Sequence, residues 1–352
     1  MLEEAKRARV ALLRVRIPPI REATFPCSRL SLTPSVLPNT ALFVYPIKST
    51  YGIEVQSAEV TQYGFKYDRE WMLVDAQTNN FLSQRVYPRV RRHLSLSIRL
   101  PSSVCIDSSV FLTFCPLQMA LIRPSLRVEE GVMEVSAPGK SVLRIPLARS
   151  SNKEEECDVT LWGSELGGID QGKEANMWFS DFLGADVRLV RIPKDHDRVV
   201  DQQYSVPSAS QFCGYADGFP FLVVNESSLE VVRESTLKEC GEDPVSIRRF
   251  RANILVSGFS AWEELLFERA RVLGTSSLVT LHLTKPCSRC KLTTVVPEKG
   301  VFGGEQPLQF VREHRNSIFG MNAVHSPQSI GKTVSVGDGF RVDAFRKKEI
   351  QL

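Results

Sequence analysis

The chain has 352 residues, of which 43% are hydrophobic and 24% are charged, and its formal net charge is +4. A chain of this length and composition can bury one large core or two ordinary ones, so we expect a globular protein of one or two domains. The Lys and Arg residues are scattered and the net charge is small, which excludes the basic surface of a nucleic-acid-binding protein. No apolar run reaches the roughly 18 residues of a transmembrane segment.

The start of the chain gives two opposing signals. Residues 1–21 interleave Arg and Lys with apolar residues, as organelle-targeting peptides do, but Glu3, Glu4 and Glu22 are unlike those acid-poor peptides. The stretch from Pro18 to Pro38 is rich in Pro, Ser and Thr and is typical of a flexible lead-in. We therefore expect residues 1–37 to be a flexible extension, and we place the protein in the cytoplasm or mitochondria because no secretory signal is visible.

Short runs of β-branched, aromatic or alternating residues dominate the first 160 positions. Several strands at this spacing predict a barrel or a sandwich rather than a parallel α/β sheet. The predicted strands are Ala41 to Ile47, Ile53 to Thr61, Glu70 to Asp75, Phe81 to Arg85, Leu94 to Leu100, Gln118 to Arg123, Ser141 to Leu147 and Asp158 to Trp162.

Helical spacing appears next along the chain. Apolar residues recur every three to four positions from Lys173 to Leu183, and Gly184 is a suitable C-terminal stop. A second helix is predicted from Ser227 to Leu237, and a mobile loop from Pro193 to Ser210. Further strands are predicted at Val187 to Ile192, Asn253 to Ser257, Leu278 to Leu283, Leu292 to Val296 and Thr333 to Val342.

Two of the eight cysteines are close together, in Lys285-Pro-Cys-Ser-Arg-Cys290. This spacing alone leaves four readings open: structural thiols, a single-thiolate metal site, half of a zinc site, or a redox dithiol. A zinc site needs further ligands, and no second close Cys or His pair follows. A redox dithiol normally precedes a helix, whereas Lys291 to Val296 is predicted to be a strand. Lys285 and Arg289 are cations that favour a thiolate, which is a suitable ligand for a soft metal.

Several motifs, taken together and in order, resemble those of MOSC proteins with an N-terminal β-barrel domain, a group that includes the mitochondrial amidoxime-reducing component. They are Tyr45 to Lys48, Asp68 to Met72, Gln84-Arg85, Ala216 to Phe221 with Ser228-Leu229, Arg249 to Ile254, Ala261 to Glu264, Lys285 to Thr294 with Pro297 and Gly300, and Val336 to Asp338. The resemblance implies an α+β, β-rich fold in which a MOSC-type β-barrel packs with an N-terminal β-barrel-like domain and a few helices. We assign residues 38–165 to the N-terminal domain and residues 166–352 to a molybdenum-cofactor-binding MOSC domain.

The resemblance also implies a site. Cys290 matches the molybdenum ligand of the family, and Cys287 matches a less critical neighbour. Lys48, Arg85, Arg251 and Asn253 match positions that bind the pterin and its phosphate, which suits the donors that these side chains offer to an anion. Simpler roles exist: Lys48 as a surface charge, or Arg85 paired with Asp75 or Glu70. Arg251 and Asn253 are expected to alternate along one face of a strand.

Two departures from the family pattern bear on activity. Phe219 stands where the family has a small hydroxylated residue near the cofactor, and Val296 stands where an acidic residue is common.

The function implied by the resemblance is a molybdoenzyme that reduces N-hydroxylated compounds such as amidoximes or hydroxylamines. The chain shows no Cys-rich tail of an iron–sulfur domain, so electrons are expected from separate haem and flavin proteins. Alternatives are a non-catalytic carrier of the molybdenum–molybdopterin cofactor and a MOSC fold with a decayed site. Related domains end molybdenum-cofactor sulfurases, but the pyridoxal phosphate domain of those enzymes has no counterpart here.

Overall fold

The computed structural model describes residues 36–85, 116–149, 155–240 and 245–346. Within these residues there are three α-helices, α1 (Lys173–Leu183), α2 (Glu226–Cys240) and α3 (Leu308–Arg315). The strands are β1 (Val36–Val44), β2 (Ile53–Val55), β3 (Ser57–Thr61), β4 (Gly64–Phe65), β5 (Trp71–Asp75), β6 (Arg123–Arg127), β7 (Val132–Ser136), β8 (Leu143–Pro146), β9 (Glu156–Leu161), β10 (Ser164–Asp170), β11 (Val187–Arg191), β12 (Phe221–Asn225), β13 (Ile254–Val256), β14 (Phe267–Leu273), β15 (Leu278–Ser288), β16 (Val295–Val296), β17 (Val301–Phe302), β18 (Ile318–His325), β19 (Thr333–Ser335) and β20 (Gly339–Phe345).

A closed barrel forms the largest sheet. Seven strands follow one another in the order β13, β12, β18, β15, β14, β20, β1, and the pairing of β1 with β13 closes the ring. The pair β12–β13 is parallel, and the other neighbours are antiparallel. The barrel is filled by apolar side chains that include Leu42, Val223, Leu281, Met321 and Phe340. The expectation of a β-rich barrel fold with few helices is confirmed.

Strand β15 shows how the sequence produces the barrel wall and then leaves it. Val279, Leu281 and Leu283 are buried, and the residues between them are more exposed, as alternation along a half-buried strand requires. Beyond Leu283 the pairing with β18 shifts register twice, between Leu283 and Lys285 and between Pro286 and Ser288. Such irregularities re-aim side chains, and here they bring the Lys285 to Cys290 segment to a cavity.

Two smaller sheets and one helix make a second apolar cluster. Strands β5, β11, β10 and β9 form one sheet, and β6, β7 and β8 form another. Helix α1 buries Ala175, Trp178 and Phe179 in this cluster, which also contains Trp71. The helix ends at Leu183, and the next residue, Gly184, has a left-handed backbone and donates its N–H to the Ser180 oxygen at 2.9 Å. The predicted bounds of α1 are confirmed.

Several local predictions were wrong. Residues 116–121 form a 3₁₀ helix before β6, so Gln118 to Arg123 is not a strand. The predicted strand Leu292 to Val296 is mostly a 3₁₀ turn, Lys291–Thr294, followed by only two strand residues. In the predicted strand Phe81 to Arg85, only Phe81 makes a bridge, an isolated one to Val74. The predicted strand at residues 94–100 lies outside the described residues, as does the predicted extension apart from residues 36 and 37, which begin β1.

Strand β1 comes from the segment assigned to the N-terminal domain, yet it pairs with β13 and β20 of the later segment. The assigned boundary between residues 165 and 166 remains a prediction. Among the described residues, no helix has the length and apolar character needed to cross a membrane.

Candidate functional site

Every residue that the sequence put forward as a site residue lines one cavity of about 280 Å³. Lys48, Arg85, Arg251, Asn253 and Cys290 all line it. The other lining residues are Ser49, Arg69, Ser83, Ala216, Asp217, Gly218, Phe219, Phe221, Leu222, Phe250, Lys285, Pro286, Cys287, Ser288, Arg289, Leu292 and Asn322. Six of the lining residues are Lys or Arg and only one is acidic, so the cavity suits an anionic ligand.

Lys48 is a buried charge rather than a surface one. It follows β1 with 5% of its surface exposed, and its main-chain N–H donates to the Trp71 oxygen at 2.8 Å. Its ammonium group donates to the Tyr215 oxygen at 2.8 Å and to the Asp217 carboxylate at 2.6 Å. Burial lowers the pKa of Lys48 to about 8, although Asp217 opposes that shift.

Asp217 is the site residue that the sequence reasoning missed. Its carboxylate pairs with both Lys48 and Arg85 and accepts a hydrogen bond from Nε1 of Trp162 at 3.2 Å. Burial by itself raises the pKa of this carboxyl, but the two cations outweigh burial and hold the pKa far below its usual range. The signal that could have found it was present, because Asp217 is the one carboxylate of the Ala216 to Phe221 motif.

Arg85 is held by the same carboxylate. Its guanidinium also lies 4.9 Å from the ring centre of Trp162. Burial lowers the pKa of Arg85, but the nearby Asp217 and Cys290 raise it by more, so the pKa is raised overall. Glu70, one of its predicted partners, instead pairs with Arg149 and Arg191.

Arg251 and Asn253 do not alternate along a strand as expected. They lie in the turn between the 3₁₀ helix Ile247–Arg249 and β13, and Arg251 has a left-handed backbone with φ of 57°. Because left-handed residues break the two-residue repeat of a strand, the shared-face argument was wrong. Tertiary packing nevertheless brings both residues to the cavity.

The Arg251 guanidinium is only partly used by the protein. Nη1 donates to the Thr50 oxygen at 2.7 Å, and the group lies 4.3 Å from the ring centre of Tyr45. Nη2 is buried without a partner. Burial, together with nearby Arg69, lowers the pKa of Arg251 to about 10. A buried donor without a partner in a cation-rich cavity is what an anionic ligand would satisfy.

Asn253 is engaged by the protein on both ends of its amide. Its oxygen accepts from Arg69 at 2.9 Å and from the Leu222 N–H at 3.2 Å. Its nitrogen donates to the Phe43 oxygen at 3.1 Å. Asn253 therefore ties Arg69 to β1 and to the start of β12, and its contact with a cofactor remains a prediction.

Cys290 lies half-buried at the wall of the cavity, immediately before the 3₁₀ turn Lys291–Thr294. The strand that was expected after Cys290 is absent. That strand was the reason to disfavour a redox dithiol, so this reason no longer holds. Arg289 contacts the other thiol, donating to Sγ of Cys287 at 2.7 Å and to the Phe250 oxygen at 2.6 Å. Both cysteines are free thiols, and no three His, Cys, Asp or Glu side chains of the described residues gather to hold a metal.

These residues fit a molybdenum–pterin cofactor chemically. A soft thiol at Cys290, a set of fixed cations and the unpartnered Nη2 of Arg251 match a metal complex that carries a phosphate. Of the two departures noted in the sequence, Phe219 lines the cavity, whereas Val296 is buried in β16 opposite Val301 and does not line it.

The sequence of this chain is similar to those of one protein family. Residues 39–103 and 115–186 match the MOSC N-terminal beta barrel domain, and residues 212–341 match the MOSC domain. The chain is 29% identical over 281 residues to mitochondrial amidoxime reducing component 2 of Bos taurus, covering 78% of this chain and 71% of the relative. The mitochondrial amidoxime-reducing component 1 of Mus musculus is also 29% identical, over 78% of this chain and 70% of its own. The molybdenum cofactor sulfurase of Bos taurus is 25% identical over 95% of this chain but only 36% of its own length. The chain belongs to the MOSC-domain proteins that carry a MOSC N-terminal β-barrel domain.

Proposed function

We propose that this protein is a molybdenum-cofactor-dependent oxidoreductase that reduces N-hydroxylated compounds, such as amidoximes and hydroxylamines. One observation carries the proposal: the half-buried thiol of Cys290 shares a cavity with six basic residues, four of which (Lys48, Arg69, Arg85 and Arg251) come from distant parts of the chain. The names of the relatives, amidoxime-reducing components, supply the reaction class.

The chain's own residues have distinct tasks in this proposal. Cys290 is the protein ligand of the metal and the residue at the reacting centre. Lys48, Arg85 and Arg251 bind the negative groups of the cofactor, and Arg251 does so through its unpartnered Nη2. Asn253 fixes Arg69, which lines the same wall. The bound cofactor supplies oxygen-atom transfer and redox chemistry.

The proposed partners follow from the reaction. Reduction needs electrons, and we propose that separate haem and flavin proteins deliver them to the loaded protein. The mitochondrial names of the relatives favour a mitochondrial location over a cytoplasmic one. The substrate is a small N-oxygenated molecule rather than nucleic acid.

The test begins with cofactor content. Wild type, Cys290→Ser and Cys287→Ser are expressed in a host that makes the cofactor, and molybdenum and pterin are measured per chain. We expect wild type and Cys287→Ser to contain molybdenum, and Cys290→Ser to lose it because an alkoxide is a poor substitute for a soft thiolate. Loaded wild type is then mixed with a chemical reductant and benzamidoxime. If the molybdenum-containing protein forms no benzamidine, the proposed reductase activity is ruled out.

A second candidate is a non-catalytic carrier of the cofactor, because a cavity with one thiol and six basic residues suits cofactor binding with or without turnover. A carrier would retain the cofactor tightly but would show no substrate-dependent reoxidation after reduction. A decayed MOSC site would contain no molybdenum at all. Metal analysis followed by a reoxidation assay therefore separates the three functions.

A further inference from the structure

A free cation and an aromatic ring belong to the cavity lining, and a second aromatic ring outside the lining contacts both. Lys285 and Phe219 line the cavity, and Tyr204 contacts both of them. The Lys285 ammonium lies 4.5 Å from the Tyr204 ring centre. The rings of Tyr204 and Phe219 meet edge to face, with centroids 6.1 Å apart. We refer to Tyr204, Phe219 and Lys285 as the aromatic rim.

Lys285 differs from the other cavity cations in what its charged group contacts. Lys48 and Arg85 share the Asp217 carboxylate, and Arg289 is anchored on Cys287 and on the Phe250 oxygen. The Lys285 ammonium forms neither an ion pair nor a side-chain hydrogen bond within the described part of the chain, and its contact is the cation–π contact with Tyr204. Such a contact fixes an ammonium group while leaving its hydrogen-bond donors available.

Local structure holds the rim in place. Tyr204 ends the 3₁₀ turn Gln202–Tyr204, which Asp201 caps by accepting the Gln203 N–H at 3.1 Å. Lys285 sits at the first register shift of β15, where the strand leaves the regular barrel wall. Phe219 precedes β12 and is half-buried, so part of its ring is available to a ligand.

We propose that the aromatic rim is the substrate-recognition surface, and that it selects flat aromatic N-hydroxylated compounds that carry a carboxylate. The ring of such a substrate packs on Phe219, and its carboxylate pairs with the Lys285 ammonium. This inference rests on the proposed function for the reaction, but the recognition itself can be measured without turnover.

The first experiment compares benzamidoxime with 4-carboxybenzamidoxime as substrates of the loaded protein. We expect wild type to prefer the carboxylated compound, and Lys285→Gln to lower the ratio of the two kcat/KM values by about fivefold, as for a partly exposed ion pair. Lys285→Arg keeps the charge and is expected to retain most of the preference. An unchanged ratio in Lys285→Gln would overturn the proposal.

Lys291→Gln is the matched control. Lys291 is exposed, is not among the residues that line the cavity, and lies in a different surface depression with Thr294, Phe302 and Glu305. We expect it to keep the wild-type ratio, and an equal fall in both variants would mean that only overall charge matters. Molybdenum content is measured for each variant, because loss of metal in Lys285→Gln would assign Lys285 to the cofactor instead.

Calorimetry separates this inference from the proposed reaction. Binding of 4-carboxybenzamidine and of benzamidine to loaded protein is compared in wild type, Lys285→Gln and Phe219→Ser. We expect the carboxylate preference to disappear in Lys285→Gln, and both ligands to bind more weakly to Phe219→Ser. If that binding pattern appears while no amidoxime is reduced, the results support recognition by the aromatic rim and contradict the proposed reductase activity. If binding shows no preference, the rim proposal is wrong whatever the turnover.

Discussion

The Lys48 ammonium and the Asp217 carboxylate form a 2.6 Å ion pair between residues 169 positions apart in sequence. The second carboxylate oxygen of Asp217 pairs with Arg85, so one acid organises two of the cations proposed to bind the cofactor. Without that acid, the buried charge of Lys48 and the half-buried charge of Arg85 would lie together unneutralised, which is costly in a partly desolvated site.

Asp217→Asn is therefore expected to destabilise the cofactor-free protein. Because 49% of the Asp217 side chain is exposed, solvent screening limits the loss in unfolding free energy to about 1 to 2 kcal/mol. Urea denaturation measures the loss. The control is Glu59→Gln, which breaks the exposed pair with Lys66 and should cost less than about 0.5 kcal/mol. Equal stability of Asp217→Asn and wild type would show that the carboxylate does not organise the site.

Arg251→Gln should weaken cofactor retention while leaving the fold intact. A hydrogen bond to a charged group contributes roughly 1.5 to 3 kcal/mol, so we expect retention to fall by about tenfold or more. Molybdenum and pterin per chain after extensive dialysis provide the measurement. Arg248→Gln is the matched control, since Arg248 pairs with Glu54 and does not line the cavity. Full retention by Arg251→Gln would exclude Arg251 from the cofactor contact.

Glu264 should make stability depend on pH. Its carboxyl is fully buried and accepts a hydrogen bond from the Ser228 hydroxyl at 2.8 Å. Burial raises its pKa from 4.5 to about 7, so between these values the folded state binds more protons than the unfolded state. The contribution of Glu264 to stability is therefore present below pH 4.5 and is lost as the pH rises to about 7.

Glu264→Gln cannot ionise and should lack this loss. Its unfolding free energy relative to wild type should increase by about 1 to 3 kcal/mol as the pH is raised across that window. Denaturation curves at matched pH values for the two proteins test this expectation. A difference that does not change with pH would show that Glu264 titrates normally.

Gly64→Ala should be among the more destabilising single changes near the site. Gly64 has a φ of 110°, and a Cβ there would lie 2.7 Å from the main-chain oxygen of Pro220, just before β12. We expect a loss of about 2 to 4 kcal/mol from the strained backbone and the clash together. Gly139→Ala has a similar left-handed backbone but no atom within 4 Å, so it should cost only about 1 kcal/mol. Thermal and urea unfolding compare the two, and equal losses would contradict the predicted clash.

Much of the fold was predictable where the signal is local. The helical spacing of Ala175, Trp178, Phe179 and Phe182, followed by Gly184, predicted the bounds of α1 to the residue, because one face of that helix packs in the core. The predicted strand Leu278 to Leu283 is the barrel part of β15. Predictions failed at Gln118 to Arg123 and at Leu292 to Val296, where short apolar runs form 3₁₀ turns. Gln118 to Arg123 contains four consecutive apolar residues and Leu292 to Val296 ends in two, and runs this short fit either structure until their packing partners decide.

The sequence by itself determined which residue types were available: a pair of cysteines beside two cations, the basic residues of the motifs, and the order of motifs that indicates a MOSC protein. Only the tertiary structure decided that Cys290, Lys48, Arg85 and Arg251 line one cavity, that Asp217 joins Lys48 to Arg85, and that Arg251 approaches through a left-handed turn. The physical reason is range. Periodicity reports contacts a few residues apart, whereas the Lys48 ammonium donates to the Tyr215 oxygen across 167 residues, a contact set by tertiary packing and not by any local pattern.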